Sequence, residues 1–331
     1  MGATDNPRRG LVLGGGGMLG AAWMTGALRA IEQVAGFDPR TCDVIVGTSA
    51  GSVVGSLLAA GVSVKQMLDH QRGTPMAAGP LAGYSFDYEK GAGPSRPRLP
   101  KLLGPGSGKL IAKSAGRIGR VPPTAILAAW MPQGRGSLSR IGHLVEAFTP
   151  MGEWSSHSNL WLVALDYDSG ERVVFGRDRH RPASLADAVM ASCAIPAWFA
   201  PAEFGGHRYI DGGAWSATNA DLLTGLDLDE VYVVAPMVSF ELDQPKDVMS
   251  KLERRWRVQV TKRCLSEANQ VRAGGTSVVI VGPTPEDLEA MGGNAMDASR
   301  RLRVLETSLR TTPQQLRDPD HLGPDHVADV G

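Results

Sequence analysis

The segment 10–23, "GLVLGGGGMLGAAW", is followed at 43–60 by "DVIVGTSAGSVVGSLLAA". In each segment a short run of Leu, Val or Ile ends in glycine or other small residues, and apolar residues at helical spacing follow. A buried strand, a tight turn and a helix that occur twice in succession are typical of a parallel sheet with crossover helices. The two segments therefore predict an α/β fold.

The rest of the chain continues this pattern. Apolar runs predict strands at 159–165, 172–175, 207–210, 231–235 and 277–281, of which the first two pair as a hairpin. Helices are predicted at 18–35, 50–60, 185–192, 246–272 and 297–310. We expect one domain over 10–310, with a flexible N-terminus at 1–9 and a flexible C-terminal tail at 311–331.

The middle of the chain has a different composition. Residues 90–120 contain no acidic residue but hold seven Gly and four Pro, so this segment predicts no regular core element. We expect a basic Gly/Pro-rich insertion or cap at about 73–135. The eight basic residues of the segment are Lys90, Arg96, Arg98, Lys101, Lys109, Lys113, Arg117 and Arg120.

Overall composition excludes several classes of protein. Lys and Arg total 34 and Asp and Glu total 34, which argues against a nucleic-acid-binding protein. Cys42, Cys193 and Cys264 are too far apart in sequence for a metal motif or a disulfide framework, which favours a reducing compartment. No signal peptide or membrane span is predicted. We expect a cytoplasmic protein, at most peripheral to a membrane, with no cofactor and no metal.

The glycine-rich turn Gly15-x-Gly17-x-x-Gly20 has three interpretations. Its spacing matches a dinucleotide fingerprint, but free amides in such a turn also suit an oxyanion, and a tight turn without a ligand fits equally well. The dinucleotide interpretation is the weakest when the next strand is considered. That strand ends in Gly47-Thr48-Ser49 and lacks the acidic residue that would bind a ribose.

Two further motifs carry reactive side chains. Gly47-Thr48-Ser49-Ala50-Gly51 lies between a predicted strand and helix, as a nucleophile elbow requires, although Ser49 as a simple helix cap is the alternative. Asp211-Gly212-Gly213 follows a short predicted strand, and its alternative is an ordinary Asp-Gly hairpin turn.

These three motifs, with the segment 191–196, "ASCAIP", resemble in order and spacing the patatin-like phospholipase family of serine acylhydrolases, in its bacterial form. The resemblance covers roughly residues 10–235. It implies a three-layer α/β/α domain around a largely parallel sheet, with Ser49 as nucleophile and Asp211 as its proton acceptor. The implied oxyanion hole is formed by Gly15, Gly16 and Gly17. The other motif glycines are Gly20, Gly47, Gly51, Gly212 and Gly213. One departure is Leu19, where the family commonly has Arg or Lys.

A Ser–Asp dyad has to work without histidine, and the sequence is consistent with this. After Asp211 the chain has only His321 and His326, in the predicted tail, and His207 is expected on a surface strand. Burial of Asp211 would raise its pKa and make it a better base. The resemblance implies a lipid acyl hydrolase of phospholipase A, lysophospholipase or carboxylesterase type.

Substrate contacts are predicted less specifically. Ile195, Trp198, Phe199 and Trp215 are expected to line an apolar trough for an acyl chain. The basic run at 90–120 would attract anionic lipid headgroups, or else form a solvated loop. The alternative functions are a non-catalytic lipid-binding protein on the same fold and a nucleotide-binding oxidoreductase that uses the glycine turn.

Overall fold

A computed structural model describes residues 6–76, 78–87, 96–98, 104–114, 121–178 and 180–318. Its strands are β1 (Arg9–Leu13), β2 (Val44–Thr48), β3 (Leu160–Asp166), β4 (Arg172–Phe175), β5 (Ala202–Phe204), β6 (His207–Asp211), β7 (Glu230–Val234) and β8 (Ser277–Val281). They form one sheet whose hydrogen-bonded neighbours follow the path β5-β6-β3-β2-β1-β7-β8, with β2 and β6 on one edge of β3 and β4 on the other. The run from β3 to β8 is parallel, whereas β4, β5 and β6 join by antiparallel pairing.

Helices cover both faces of the sheet. They are α1 (Gly17–Val34), α2 (Ala50–Ala59), α3 (Val64–Gln71), α4 (Gly108–Ser114), α5 (Pro123–Trp130), α6 (Ser139–Glu146), α7 (Leu185–Ser192), α8 (Val248–Arg272), α9 (Pro285–Met291) and α10 (Arg301–Arg317). Alternate residues of β1 point to opposite faces. Leu11 and Leu13 pack with α1 and α2, and Val12 lies in a second apolar cluster with residues of α8. The three-layer α/β/α fold with a largely parallel sheet is confirmed.

Most predicted elements lie within a residue or two of their observed bounds, but two expectations are wrong. Part of the basic segment is regular, because Gly108–Ser114 forms a helix whose Leu110 is fully buried. Lys90, Lys101, Arg117 and Arg120 lie outside the described residues. The expected tail also begins too early, since α10 continues through Pro313 to Arg317.

Tertiary packing explains the extra turns of α10. The Ser308 hydroxyl donates to the carbonyl of Trp23 in α1 at 2.8 Å, and Thr311 donates to Asp287 in α9 at 2.9 Å. These contacts hold the helix through a proline that local propensity would place at its end. The flexible N-terminus at 1–9, the single domain and the insertion at about 73–135 stay predictions. Across the described residues, no helix is both long and apolar enough to cross a membrane.

Candidate active site

Strand register brings two chain segments together at the centre of the sheet. β2 runs parallel to β3 and ends with Thr48 opposite Val163. β6 runs antiparallel to β3 and ends with Asp211 opposite Ala164, the next residue along β3. Because β4 occupies the other edge of β3 at these positions, β2 and β6 share one edge and meet end to end. Ser49, which follows Thr48, and Asp211 are therefore neighbours although 162 residues separate them in sequence.

The backbone at Ser49 has the sharp turn expected of a nucleophile elbow. Its φ of 54° and ψ of −121° are unfavourable for a residue with a side chain, so the surrounding structure must hold this conformation. Gly51 makes the turn possible, since a Cβ there would lie 1.9 Å from the Leu13 carbonyl oxygen of β1. The hydroxyl of Ser49 then stands at the N-terminus of α2, where negative charge is favoured.

The segment 191–196 supplies the contacts that hold Ser49. The Ser49 backbone N–H donates to the Ser192 hydroxyl at 2.9 Å, and that hydroxyl donates to the Val163 carbonyl of β3 at 2.6 Å. The Ser49 carbonyl accepts from the Ser52 hydroxyl at 2.6 Å and from the Cys193 thiol at 3.3 Å. Burial raises the pKa of Cys193 to about 12, so its thiol stays protonated. The sequence pattern pointed to this segment but not to the role of Ser192.

Asp211 is a buried carboxylate with one oxygen unpaired. Oδ1 accepts from the Gly213 amide at 2.7 Å, and Oδ2 has no hydrogen-bond partner within the described part of the chain. Burial raises the pKa of Asp211 to about 6, against the opposing effect of the Ser49 hydroxyl and the Gly213 amide. The hydroxyl is thus close enough to influence the carboxylate without making a hydrogen bond of normal geometry. Such contacts often tighten only when substrate binds.

The glycine turn between β1 and α1 offers two free amides rather than three. The Gly15 amide donates to the Ala217 carbonyl at 2.8 Å, so it shapes the turn and is not available to an oxyanion. Among the described residues, no carbonyl or side chain accepts from the amides of Gly16 and Gly17. Leu19 is 1% exposed, so the side chain at this departure from the family pattern lies in the core.

Two hollows meet at Ser49. One is a largely apolar cavity of about 100 Å³ that reaches Met67 and Leu81. The other is an open groove of about 400 Å³ that contains Asp211 and the glycine turn. Four residues line both hollows: Gly17, Ser49, Ile195 and Met296. A molecule with a reactive centre at Ser49 could therefore place one arm in each.

The structure brings most of the predicted substrate residues to these hollows. Ile195 lines both, Phe199 lines the cavity and Trp198 lines the groove. Trp215 lines neither and instead packs beneath the guanidinium of Arg172, 5.2 Å from the ring centre. The prediction for Trp215 is therefore wrong: its side chain lies against Arg172, although Gly213, Ala214 and Ala217 around it in sequence line the groove.

Of the described histidines, His70 lines the apolar cavity that meets Ser49. His207 lies on its strand and bonds to Asp166 at 3.0 Å, and His321 and His326 lie outside the described residues. No hydrogen bond joins a histidine to Ser49 or Asp211 within the described ranges. Nor do these ranges contain a group of three or more His, Cys, Asp and Glu side chains arranged to hold a metal ion.

Asp211 should destabilise the fold when it is ionised. Its pKa of about 6, against an ordinary 3.8, means that stability falls as pH rises between these values, by about 3 kcal/mol in total. Asn at this position cannot ionise. We therefore expect Asp211→Asn to melt at a higher temperature than the wild type at about pH 8, with the difference shrinking towards about pH 4. Thermal unfolding across pH measures this, and a difference that does not change with pH would contradict it.

Comparison with known proteins gives one family. The family model described as Patatin-like phospholipase matches residues 11–74 and 133–224, which include the glycine turn, Ser49, Ser192 and Asp211. The crystal structure of VipD from Legionella pneumophila is also similar to this chain. The alignment has 15% sequence identity and a TM-score of 0.36, and it covers 92% of this chain and 67% of that one. The chain belongs to the patatin-like phospholipase family, whose members are in general lipid acyl hydrolases.

Proposed function

We propose that this protein hydrolyses acyl esters of lipids through a Ser49–Asp211 dyad and a covalent acyl-enzyme. The observation that carries the proposal is the end-to-end meeting of β2 and β6, which sets a strained serine beside a buried carboxylate. Three further features support it: the free amides of Gly16 and Gly17, the paired hollows, and the family match.

Acylation would begin with attack of the Ser49 hydroxyl on the ester carbonyl. Oδ2 of Asp211 takes the hydroxyl proton, and the amides of Gly16 and Gly17 stabilise the oxyanion. One such donor is typically worth about 3–4 kcal/mol in the transition state. The tetrahedral intermediate collapses as Asp211 returns the proton to the leaving alcohol, which leaves the acyl group on Ser49.

Deacylation would repeat these steps with water. Asp211 is again ionised and accepts a proton from the water that attacks the acyl-enzyme. The second tetrahedral intermediate then releases the fatty acid and regenerates the Ser49 hydroxyl. A base with a pKa of about 6 is ionised at neutral pH yet is more basic than an ordinary carboxylate. Hydrolysis should therefore increase as pH rises through about 6.

The two hollows suggest how an ester binds. The apolar cavity suits the acyl chain, and the open groove suits the alcohol side, including a headgroup or glycerol backbone. At about 100 Å³ the cavity is smaller than a ~150 Å³ protein cavity that binds benzene, so it holds only a short part of an acyl chain. A longer chain requires flexible lining side chains, such as Met18 and Met67, to move.

The alternative functions have less support. An oxidoreductase with a dinucleotide at the glycine turn would want an acidic residue at the end of β2, but β2 ends at Thr48 and is followed by Ser49. A non-catalytic lipid-binding protein would not require a strained serine or an unpaired buried carboxylate. A cytoplasmic location and recruitment by the basic segment stay predictions.

Removal of either dyad residue should abolish hydrolysis. We expect Ser49→Ala and Asp211→Asn each to lower kcat by about 10³-fold or more, because one lacks the nucleophile and the other the base. A fluorophosphonate probe should label the wild type and leave Ser49→Ala unlabelled. The measurements are turnover of a soluble ester and labelling of the intact protein.

His207→Gln is the matched control for these variants, since His207 lies on β6 with Asp211 but bonds to Asp166 of β3. It should keep wild-type turnover. If His207→Gln lost activity while Asp211→Asn kept it, a histidine-dependent mechanism would replace the dyad. Labelling of Ser49→Ala at the wild-type rate would exclude Ser49 as nucleophile.

Ser192 should act as a positioning residue for the nucleophile. Ser192→Ala leaves the Ser49 amide and the Val163 carbonyl without their partner, so the elbow is free to shift. We expect kcat to fall between about 10- and 100-fold with little change in KM. Ser56→Ala is the control, because Ser56 is equally buried on α2 but bonds only to the carbonyl of Ser52. A similar loss of kcat in both variants would mean a general packing defect.

Enlarging the cavity should change acyl-chain preference. Met67→Ala removes a buried side chain that lines the cavity, so esters of longer acids should gain relative kcat/KM. Met24→Ala is the matched control, because Met24 is fully buried in the same core but does not line the cavity. Both changes should cost about 2–5 kcal/mol of stability. A chain-length panel measures the effect, and equal profiles for the two variants would contradict the assignment of the cavity.

A further inference from the structure

The first two turns of α8 have their polarity reversed. Val248, Met249, Leu252 and Trp256 point outward and are 82%, 64%, 63% and 43% exposed. We call these four residues the α8 stripe. Helical spacing puts them within one arc of the surface, at i, i+1, i+4 and i+8. Surface helices normally bury their apolar face, so an exposed apolar stripe implies a partner.

The inward face of the same turns is charged. Arg254 and Arg257 are 4% and 2% exposed. Arg254 donates to Asp243 at 2.6 Å and to the Leu288 carbonyl at 2.8 Å, and Arg257 donates to Glu253 and to the Pro236 carbonyl, both at 2.6 Å. Farther along, α8 returns to ordinary polarity and buries Val260, Cys264 and Leu265. The reversal is therefore local to the first turns of α8.

The α8 stripe is continuous with the groove at Ser49. Trp256 lines that groove from α8, and Leu127 and Met131 line it from the end of α5. Leu127, Trp130 and Met131 at the end of α5 are 53%, 60% and 36% exposed, and we call them the α5 rim. Exposed apolar side chains from two elements thus line the groove, and the exposed Trp130 adjoins Met131 in sequence. Tryptophan is enriched where proteins meet the interfacial region of a bilayer.

Charge around the α8 stripe favours an anionic partner. Lys246, Lys251 and Arg255 are exposed, and within the described residues their side chains make no ion pair or hydrogen bond. The neighbouring acids are mostly engaged with the protein itself. Asp243 and Glu253 bind the buried arginines, and Asp247 caps the helix by accepting from the Ser250 amide, which leaves Glu241 as an exposed acid nearby.

We propose that the α8 stripe and the α5 rim form one docking surface, which rests on an anionic lipid bilayer with the groove facing the lipid. Apolar side chains enter the acyl boundary, while Lys246, Lys251 and Arg255 contact anionic headgroups. A lipid would then reach Ser49 without crossing bulk water. This inference rests on the proposed lipid hydrolysis for its purpose, but the docking itself is independent of catalysis.

The test uses the full chain with Ser49→Ala, so that no lipid is consumed. The measurement is co-sedimentation with phosphatidylcholine vesicles, with and without phosphatidylserine, at low and high salt. The combined change Val248→Ser, Met249→Ser and Leu252→Ser should weaken binding to the anionic vesicles at least tenfold. Replacement of Lys246, Lys251 and Arg255 by Gln should weaken it only at low salt, because exposed charges are screened.

The matched control is Met151→Ser with Leu302→Ser, two exposed apolar residues at 81% and 45% that do not line the groove. This control should bind like the parent protein. In protein that retains Ser49, the combined change of Val248, Met249 and Leu252 should leave turnover of a soluble short-chain ester within twofold of the wild type. This separates docking from hydrolysis. Failure of the parent to bind vesicles, or equal binding by the stripe variant, would overturn the proposal. The proposal would also be overturned if the parent protein were a dimer and the stripe variant a monomer, since a second copy of the chain would then cover this surface.

Discussion

The site depends on one constraint, the sharing of a single edge of β3 by two strands that run in opposite directions. β2 reaches Val163 and stops, and β6 occupies the edge from Ala164 onward. The residue that follows one strand and the last residue of the other must therefore lie side by side. Ser192 reinforces the junction, because its hydroxyl joins the Ser49 amide to the Val163 carbonyl of the same central strand.

Two unfavourable features coincide at this junction. Ser49 has a positive φ, and Asp211 is a buried carboxylate with one oxygen unpaired. Each costs free energy that the surrounding sheet must offset, and both make sense when the serine is to lose a proton and the carboxylate is to accept one. The same logic applies on the surface, where α8 buries two arginines and exposes its apolar residues. At Ser49 and Asp211, and again in the first turns of α8, the local arrangement is one that residue preferences alone would disfavour.

Several outcomes differ from what the sequence predicted, and each has a physical cause. Gly15 belongs to the glycine turn, but the Ala217 carbonyl takes its amide, so two donors remain rather than three. Trp215 is close to Asp211 in sequence, but its side chain packs against Arg172 of β4 instead of lining the groove. The tail expected at 311 is helical to Arg317, because contacts with α1 and α9 outweigh the proline at 313. These are long-range contacts that propensity and spacing do not contain.

The sequence by itself determined the strand–turn–helix units and the family, and it singled out Ser49 and Asp211 as the candidate dyad. It could do so because a close approach of two backbone segments demands glycine at fixed positions in each motif. A proton-transfer pair in turn demands particular side chains. Only the tertiary structure decided which amides of the glycine turn are free and that the Ser192 hydroxyl holds the turn at Ser49. It also decided that burial raises the pKa of Asp211 to about 6 and that two hollows meet at Ser49. It also decided which face of α8 points outward, since hydropathy predicts the opposite orientation for its first turns. These properties arise from segments far apart in the chain, whose positions depend on strand register and packing.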